Sequence, residues 1–227
     1  MAQKLILPID DCQINAGYKS PRYQKEWGFQ HYGVDLIEKN KMRTLHACGV
    51  GTVVACGMDG QTEGLRLGNC VVIVYRDVQL PDGRVMGLSS RMYHLDKILC
   101  KTGDLVNVGT VIGEYGSTGQ YSSGPHLHIE FDTDINYPTY AYGISKSGNV
   151  IKQGSVDSTM DPCKVFWLGK GQKFYLPDQW VSEGWVVAGS DKLPPAESTD
   201  TASQLAKLQA ENQALRTLVA NIHQMTA

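Results

Sequence analysis

Four residues in two short stretches have the types and the spacing to gather around a metal ion. Residues 116–130 read GSTGQYSSGPHLHIE. The stretch begins as a Gly/Ser loop and ends as an alternating strand, with His126 and His128 one residue apart. Side chains two apart on a strand share a face. The two imidazoles therefore point one way, and Leu127 and Ile129 point toward a core. Two ordinary polar side chains on a half-exposed strand would read the same. Residues 30–36 read QHYGVDL. On a helix His31 and Asp35 would lie on one face, but Gly33 and Val34 favour a bend into a strand. Imidazole nitrogen and carboxylate oxygen are both ordinary zinc ligands at about 2.0–2.2 Å. Two nitrogens and one oxygen leave a fourth tetrahedral position for water. Three protein ligands plus water is the pattern of a catalytic zinc site, whereas a structural site is closed by four.

The elements that would position these residues are short strands. Residues 48–55 (CGVGTVVA) end apolar and β-branched, 69–76 are apolar on both faces, and 105–114 (LVNVGTVIGE) form another Gly-interrupted apolar run. Pro81-Asp82-Gly83 is a turn signal between two strand candidates. Many short strands at this spacing predict a mainly β protein, an antiparallel two-layer sandwich or partly open barrel. Helical signal between 45 and 168 is slight. The six cysteines include no C-x-x-C and sit mostly in apolar runs. They read as buried small hydrophobes with free thiols rather than as metal ligands.

Taken together, HYGVD and GSTGQYSSGPHLHIE resemble the signature of the lysostaphin-type zinc endopeptidases, which cut the peptide part of bacterial peptidoglycan. Met92-Tyr93-His94-Leu95 is similar to that family's histidine-bearing strand between its two metal motifs. Residues 101–119 (KTGDLVNVGTVIGEYGSTG) resemble the hairpin before its H-x-H. The four motifs follow the family's order across residues 27–132 and leave the last third of the chain uncovered. The resemblance implies a two-layer β-fold and one Zn²⁺ per chain. It assigns His31, Asp35 and His128 to the metal, with His126 and His94 beside the attacking water. Zinc lowers the pKa of a bound water to about 7. A neutral imidazole can take a proton from that water and pass it to the leaving amine. A second can stabilise the oxyanion. His126 is assigned as the base and His94 as the stabiliser, and the two roles can be exchanged. Glu130 continues the His126/His128 face and either orients a histidine or is a solvated strand-end charge. Tyr23 is a candidate for an upstream tyrosine that assists the oxyanion. The long polar stretch 133–159, with Tyr137 and Tyr140, reads as a wall of the substrate groove or as tyrosines packed on the sheet.

The rest of the chain sets limits. A net charge of −2 excludes nucleic-acid binding through a basic face. No apolar run approaches the ~20 residues of a membrane span. The start, MAQKLILPIDDC, has no long apolar core, so no secretory signal is expected. That points to synthesis in the cytoplasm and to a phage or prophage protein acting on the wall as an endolysin or virion-associated lysin. A chain trimmed of its signal would look the same.

The predicted organisation is a zinc metallopeptidase domain at 1–168, an aromatic extension packing on it at 169–193, a linker at 194–200 and a coiled-coil helix at 201–227. In that helix Leu205, Asn212 and Val219 occupy heptad position a, and Leu208, Leu215 and Ile222 occupy d. This predicts a homo-oligomer, dimer or trimer, against the alternative of a helix docked on its own domain. The rival functions are a non-catalytic wall-binding or activator protein and a phage structural protein carrying this domain.

Overall fold

β-Branched and aromatic runs broken by Gly, Asn and Asp dominate the middle of the chain, and they fold as strands. The computed structural model describes residues 2–39, 41–58, 67–138 and 157–175, together with 206, 209, 210 and 213. In chain order the elements are β1 (Cys12–Ala16), α1 (Pro21–Trp27), β2 (Val34–Glu38), β3 (Thr44–His46), β4 (Gly51–Met58), β5 (Asn69–Gln79), β6 (Val85–Tyr93), β7 (Leu95–Ile98), β8 (Leu105–Val106), β9 (Val111–Tyr115), β10 (Leu127–Asp132), β11 (Thr159–Met160) and β12 (Phe174–Tyr175). A single 3-10 turn, Pro162–Lys164, follows β11.

The strands form two sheets. The larger has the order β12-β1-β2-β10-β6-β5-β4-β8, with β11 added to β10, and the smaller has the order β3-β9-β7. The pairs are antiparallel apart from β1 with β12. Among the described residues the large sheet stays open, so the fold is mainly β and antiparallel without a closed barrel. The Pro81-Asp82-Gly83 turn joins β5 to β6, with Gly83 at a φ of 93°, a conformation that costs glycine little.

One core serves both sheets. Leu127, Ile129 and Phe131 of β10 pack with Leu88 and Met92 of β6, and with Leu45, Leu95 and Ile112 from the smaller sheet. Leu5, Leu7 and Ile9 close it from the N-terminal side, and Phe166 meets Phe131 edge-on at 5.2 Å. Each such side chain, fully buried, contributes roughly 1.5–3 kcal/mol. The N-terminal residues are held by pairing of Gln3 with Val78 and of Ile6 with Trp167. Pairing of β12 with β1 continues past residue 168.

α1 is a helix that the sequence reading passed over. Ser20 caps it by accepting from the Tyr23 amide at 3.2 Å, Pro21 opens it, and Gly28 ends it at a φ of 80°. Those are ordinary start and stop signals. The proposed linker, most of the aromatic extension and all six heptad positions lie outside the described residues, as does Tyr140.

Three features of this architecture matter for the site. β10 lies between β2 and β6, so even its polar face is buried. Its register sets His128 opposite Asp35 on one side and Tyr93 on the other, with Glu130 opposite Arg91 and Asp132 opposite Ser89. The chain also changes sheets at a single residue, His94, between β6 and β7, and its φ there is 67°.

Candidate metal centre

His31, Asp35 and His128 are buried and offer one ligand atom each within 4.8 Å of one another. His31 Nε2 lies 3.2 Å from Asp35 Oδ1 and 3.0 Å from His128 Nδ1, and the third side of the triangle, His128 Nδ1 to Asp35 Oδ1, is 2.9 Å. Donors about 2.0–2.1 Å from one tetrahedral ion stand roughly 3.3 Å apart, so three near-equal edges of this size fit a zinc-sized cation.

The outer hydrogen bonds decide which nitrogens face inward. His31 Nδ1 is 2.8 Å from the carbonyl of Gly17, and His128 Nε2 is 3.1 Å from Glu130 Oε1. A carbonyl and a carboxylate only accept, so those ring nitrogens carry the protons. In their neutral forms the rings would then aim lone pairs from His31 Nε2 and His128 Nδ1 at the Asp35 carboxylate. Three acceptors converging without a donor need a cation between them, and the N/N/O set is one that zinc accepts.

Without a metal ion, protons meet this need. Burial alone would raise Asp35, but the His31 and His126 charges and the hydrogen bonds from His128 and His31 hold it well below the usual carboxylate range. Burial alone would lower His128, yet hydrogen bonds and charges from Asp35 and Glu130 raise it to about 9. With no metal, a proton on His128 is the cation that this cluster takes.

Two further imidazoles face this cluster. His126 immediately precedes β10, paired with Gly116 beyond β9, and its Nε2 is 3.6 Å from Asp35 Oδ1. His94 has its ring 4.7 Å from that of His126 and 6.0 Å from that of His128. His126 Nδ1 donates to the Gly124 carbonyl at 2.7 Å, and His94 Nδ1 to the Thr118 carbonyl at 2.9 Å. In its neutral form each would therefore present a bare Nε2. Burial, then the neighbouring His128 and His126, push His94 down to about 4, so its ring is neutral at pH 7.

The remaining sequence candidates separate. Glu130 is buried against His128 rather than solvated. Tyr23 stacks on His31 at 4.2 Å, at the centre of a group with Trp27, Phe29 and Tyr121. Burial, followed by the charges of Asp35 and Glu26, holds its phenol above the ordinary value. Tyr137 lies beyond β10 and is 61% exposed. Among the described residues the cluster includes no cysteine, and burial raises Cys48 to about 12 and holds Cys163 well above its ordinary value.

Sequence reasoning missed Arg91 and Asp132. Both are fully buried on the site face and ion-paired to each other, and Arg91 also pairs with Glu130. The signal was present as complementary alternation. Ser89, Arg91 and Tyr93 share one face of β6, and His128, Glu130 and Asp132 share one face of β10.

With the fold and cluster defined, the chain can be compared with known proteins. Residues 29–138, a stretch that contains every residue of the cluster, match the model of Peptidase family M23. The chain is 33% identical over 131 residues to the peptidoglycan DD-endopeptidase ShyB of Vibrio cholerae serotype O1, covering 54% of this chain and 26% of that protein. It is 28% identical over 130 residues to ShyC, named as the same kind of enzyme in the same organism, covering 55% and 25%. It thus spans about a quarter of the length of these curated relatives. A solved chain of the SpoIIQ–SpoIIIAH pore-forming complex shares the fold at 21% identity and a TM-score of 0.50, over 73% of this chain and 92% of that one.

Proposed function

We propose that this chain is a zinc-dependent endopeptidase that hydrolyses peptide bonds in bacterial peptidoglycan, in the stem peptide or the cross-bridge. The observation that carries the reading is the convergence of three acceptors, His31 Nε2, Asp35 Oδ1 and His128 Nδ1, with the histidine tautomers set from outside. The family match and the two relatives named as peptidoglycan endopeptidases supply the substrate class.

His31, Asp35 and His128 would hold the ion. When bound, zinc supplies a Lewis acid that polarises the scissile carbonyl and makes water a nucleophile near neutral pH. The bare Nε2 of His126 accepts the proton of the attacking water and returns it to the leaving amine. His94 also begins as an acceptor, because its Nδ1–H is committed to Thr118. It donates to an oxyanion only after taking a proton at Nε2, which keeps the two histidines exchangeable in the first half of the reaction. Tyr23 backs His31 by stacking on the face of its ring.

Delivery as a phage endolysin or virion-associated lysin, with self-association through the C-terminal heptad, belongs to the same proposal and rests on the sequence pattern. Copurification with virions and the mass of the full chain in solution test it.

The central test is digestion of purified peptidoglycan with and without a zinc chelator. New amino termini that vanish on chelation and in His128→Ala, with no new reducing ends, are expected. No release from several wall types by protein carrying one zinc per chain would replace the enzyme with a wall-binding role.

A further inference from the structure

Behind the ligand set lies a second polar layer that the mechanism above does not use. Arg91 is fully buried in the middle of β6. Its Nε donates to Glu130 Oε2 at 2.8 Å, its Nη1 and Nη2 donate to Asp132 Oδ2 at 3.3 and 3.2 Å, and Nη1 also reaches the Pro138 carbonyl at 3.3 Å. Glu130 divides its two oxygens: Oε2 takes Arg91, and Oε1 takes His128 Nε2 at 3.1 Å. A continuous chain of contacts therefore runs from Asp132 through Arg91 and Glu130 to a metal-facing imidazole.

Stability does not account for this layer. Removing a guanidinium and two carboxylates from water costs several kcal/mol per ion, and an apolar trio of similar volume is often as stable or more so. The geometry accounts for it. A lone buried carboxylate beside an imidazole can rotate, or take the ring proton. Arg91 fixes the plane of Glu130 from the far side and offsets its charge. The carboxylate then meets His128 Nε2 in one fixed orientation, which turns Nδ1 toward His31 and Asp35.

We propose that Arg91 is a positioning residue for the metal centre, acting through Glu130 on the tautomer and orientation of His128. This rests on the zinc reading given above. Partners of this kind that orient a metal-binding histidine are worth about 10–100-fold in metal affinity.

The test uses the full-length protein and zinc itself. Zinc affinity is measured by chelator competition for wild type, Arg91→Lys, Arg91→Met and Glu130→Gln, and the visible spectrum is recorded after cobalt loading. Melting in chelator reports the fold separately. We expect Arg91→Met and Glu130→Gln to lose about 10–100-fold in zinc affinity. Arg91→Lys, which keeps the charge without the planar fork, should fall between these and wild type, and the cobalt bands should shift. If Arg91→Met fails to fold, Arg91→Lys and Glu130→Gln decide the matter. Variants that melt like wild type, bind zinc as tightly and leave the cobalt spectrum unchanged would overturn the proposal. The two readings fail differently. Zinc-loaded wild type that releases no amino termini removes the peptidase and leaves this inference intact. Wild type that binds zinc no better than His128→Ala removes both.

Discussion

The three proposed ligands and the two other imidazoles stand on different kinds of scaffold. Asp35 and His128 face each other across paired strands in the interior of the nine-stranded sheet, and His31 lies just before β2, on the other side of Gly33, whose backbone closely approaches Ile129. His94 and His126 instead flank the seam between the sheets. One sits on the residue that switches sheets, and the other on an isolated bridge to Gly116. Strand pairing fixes donor atoms within tenths of an ångström, as holding a cation requires. A seam of backbone carbonyls, here from Thr118 and Gly124, holds each Nδ1 and leaves Nε2 free of that bond.

The sharpest way to break that comparison is to remove one histidine from each scaffold. His128→Ala should lose tight zinc binding and bring amino-terminus release to the blank level. His126→Ala and His94→Ala should keep zinc affinity near wild type and lose about 10²–10⁴-fold in turnover, the usual contribution of a general acid or base. Equal zinc loss in all three variants would mean that the seam histidines are ligands.

A smaller effect separates the scaffolds by pH in the metal-free protein. His94 is lowered from its ordinary 6.5 to about 4, by burial first. The unfolded chain therefore binds this proton more readily, and stability falls as pH drops from 6.5 to 4, by about 3 kcal/mol at most. His128 is raised to about 9, so its contribution is complete below 6.5 and is lost as pH rises through 9. Denaturant melts in chelator should show a maximum near pH 6.5, and His94→Ala should flatten the acid limb alone. An unchanged acid limb in that variant would assign the loss to other groups.

Gly33→Ala tests the strand scaffold by overfilling it. An added Cβ would lie 2.4 Å from the Ile129 carbonyl oxygen and 2.8 Å from His128 Nε2. A loss of about 1–3 kcal/mol is expected from such overpacking, together with weaker zinc binding because His128 must move. A melting temperature and zinc affinity equal to wild type would show that the strands yield without disturbing the site.

The smallest effect is expected at the aromatic backing of His31. Ser20→Ala removes the cap of α1, worth about 1 kcal/mol, and loosens Tyr23 over the ring. Thermal melting should register it, with zinc affinity changing little. A large affinity loss would make α1 part of the metal scaffold.

Much of this protein was legible as local pattern. Two-residue alternation in HLHIEFD marks a strand with imidazole and carboxylate on one face and Leu127, Ile129 and Phe131 on the other, because the strand repeat requires it. Pro-Asp-Gly marks the β5–β6 turn for equally local reasons. α1 was legible too, in Ser20, Pro21 and Gly28, though seven residues carry little periodicity. Longer-range facts were not. Sheet order brings His31 and His128 together across 97 residues, and Arg91 to Glu130 across 39, and alternation within a segment does not by itself say which strand lies beside it. The tautomers depend on carbonyls of Gly17, Thr118 and Gly124, which every residue possesses and no sequence distinguishes. Residue type and spacing determined which chemistry the chain could host. Tertiary pairing decided which nitrogen faces which oxygen, because those contacts exist only once distant strands are hydrogen-bonded in register.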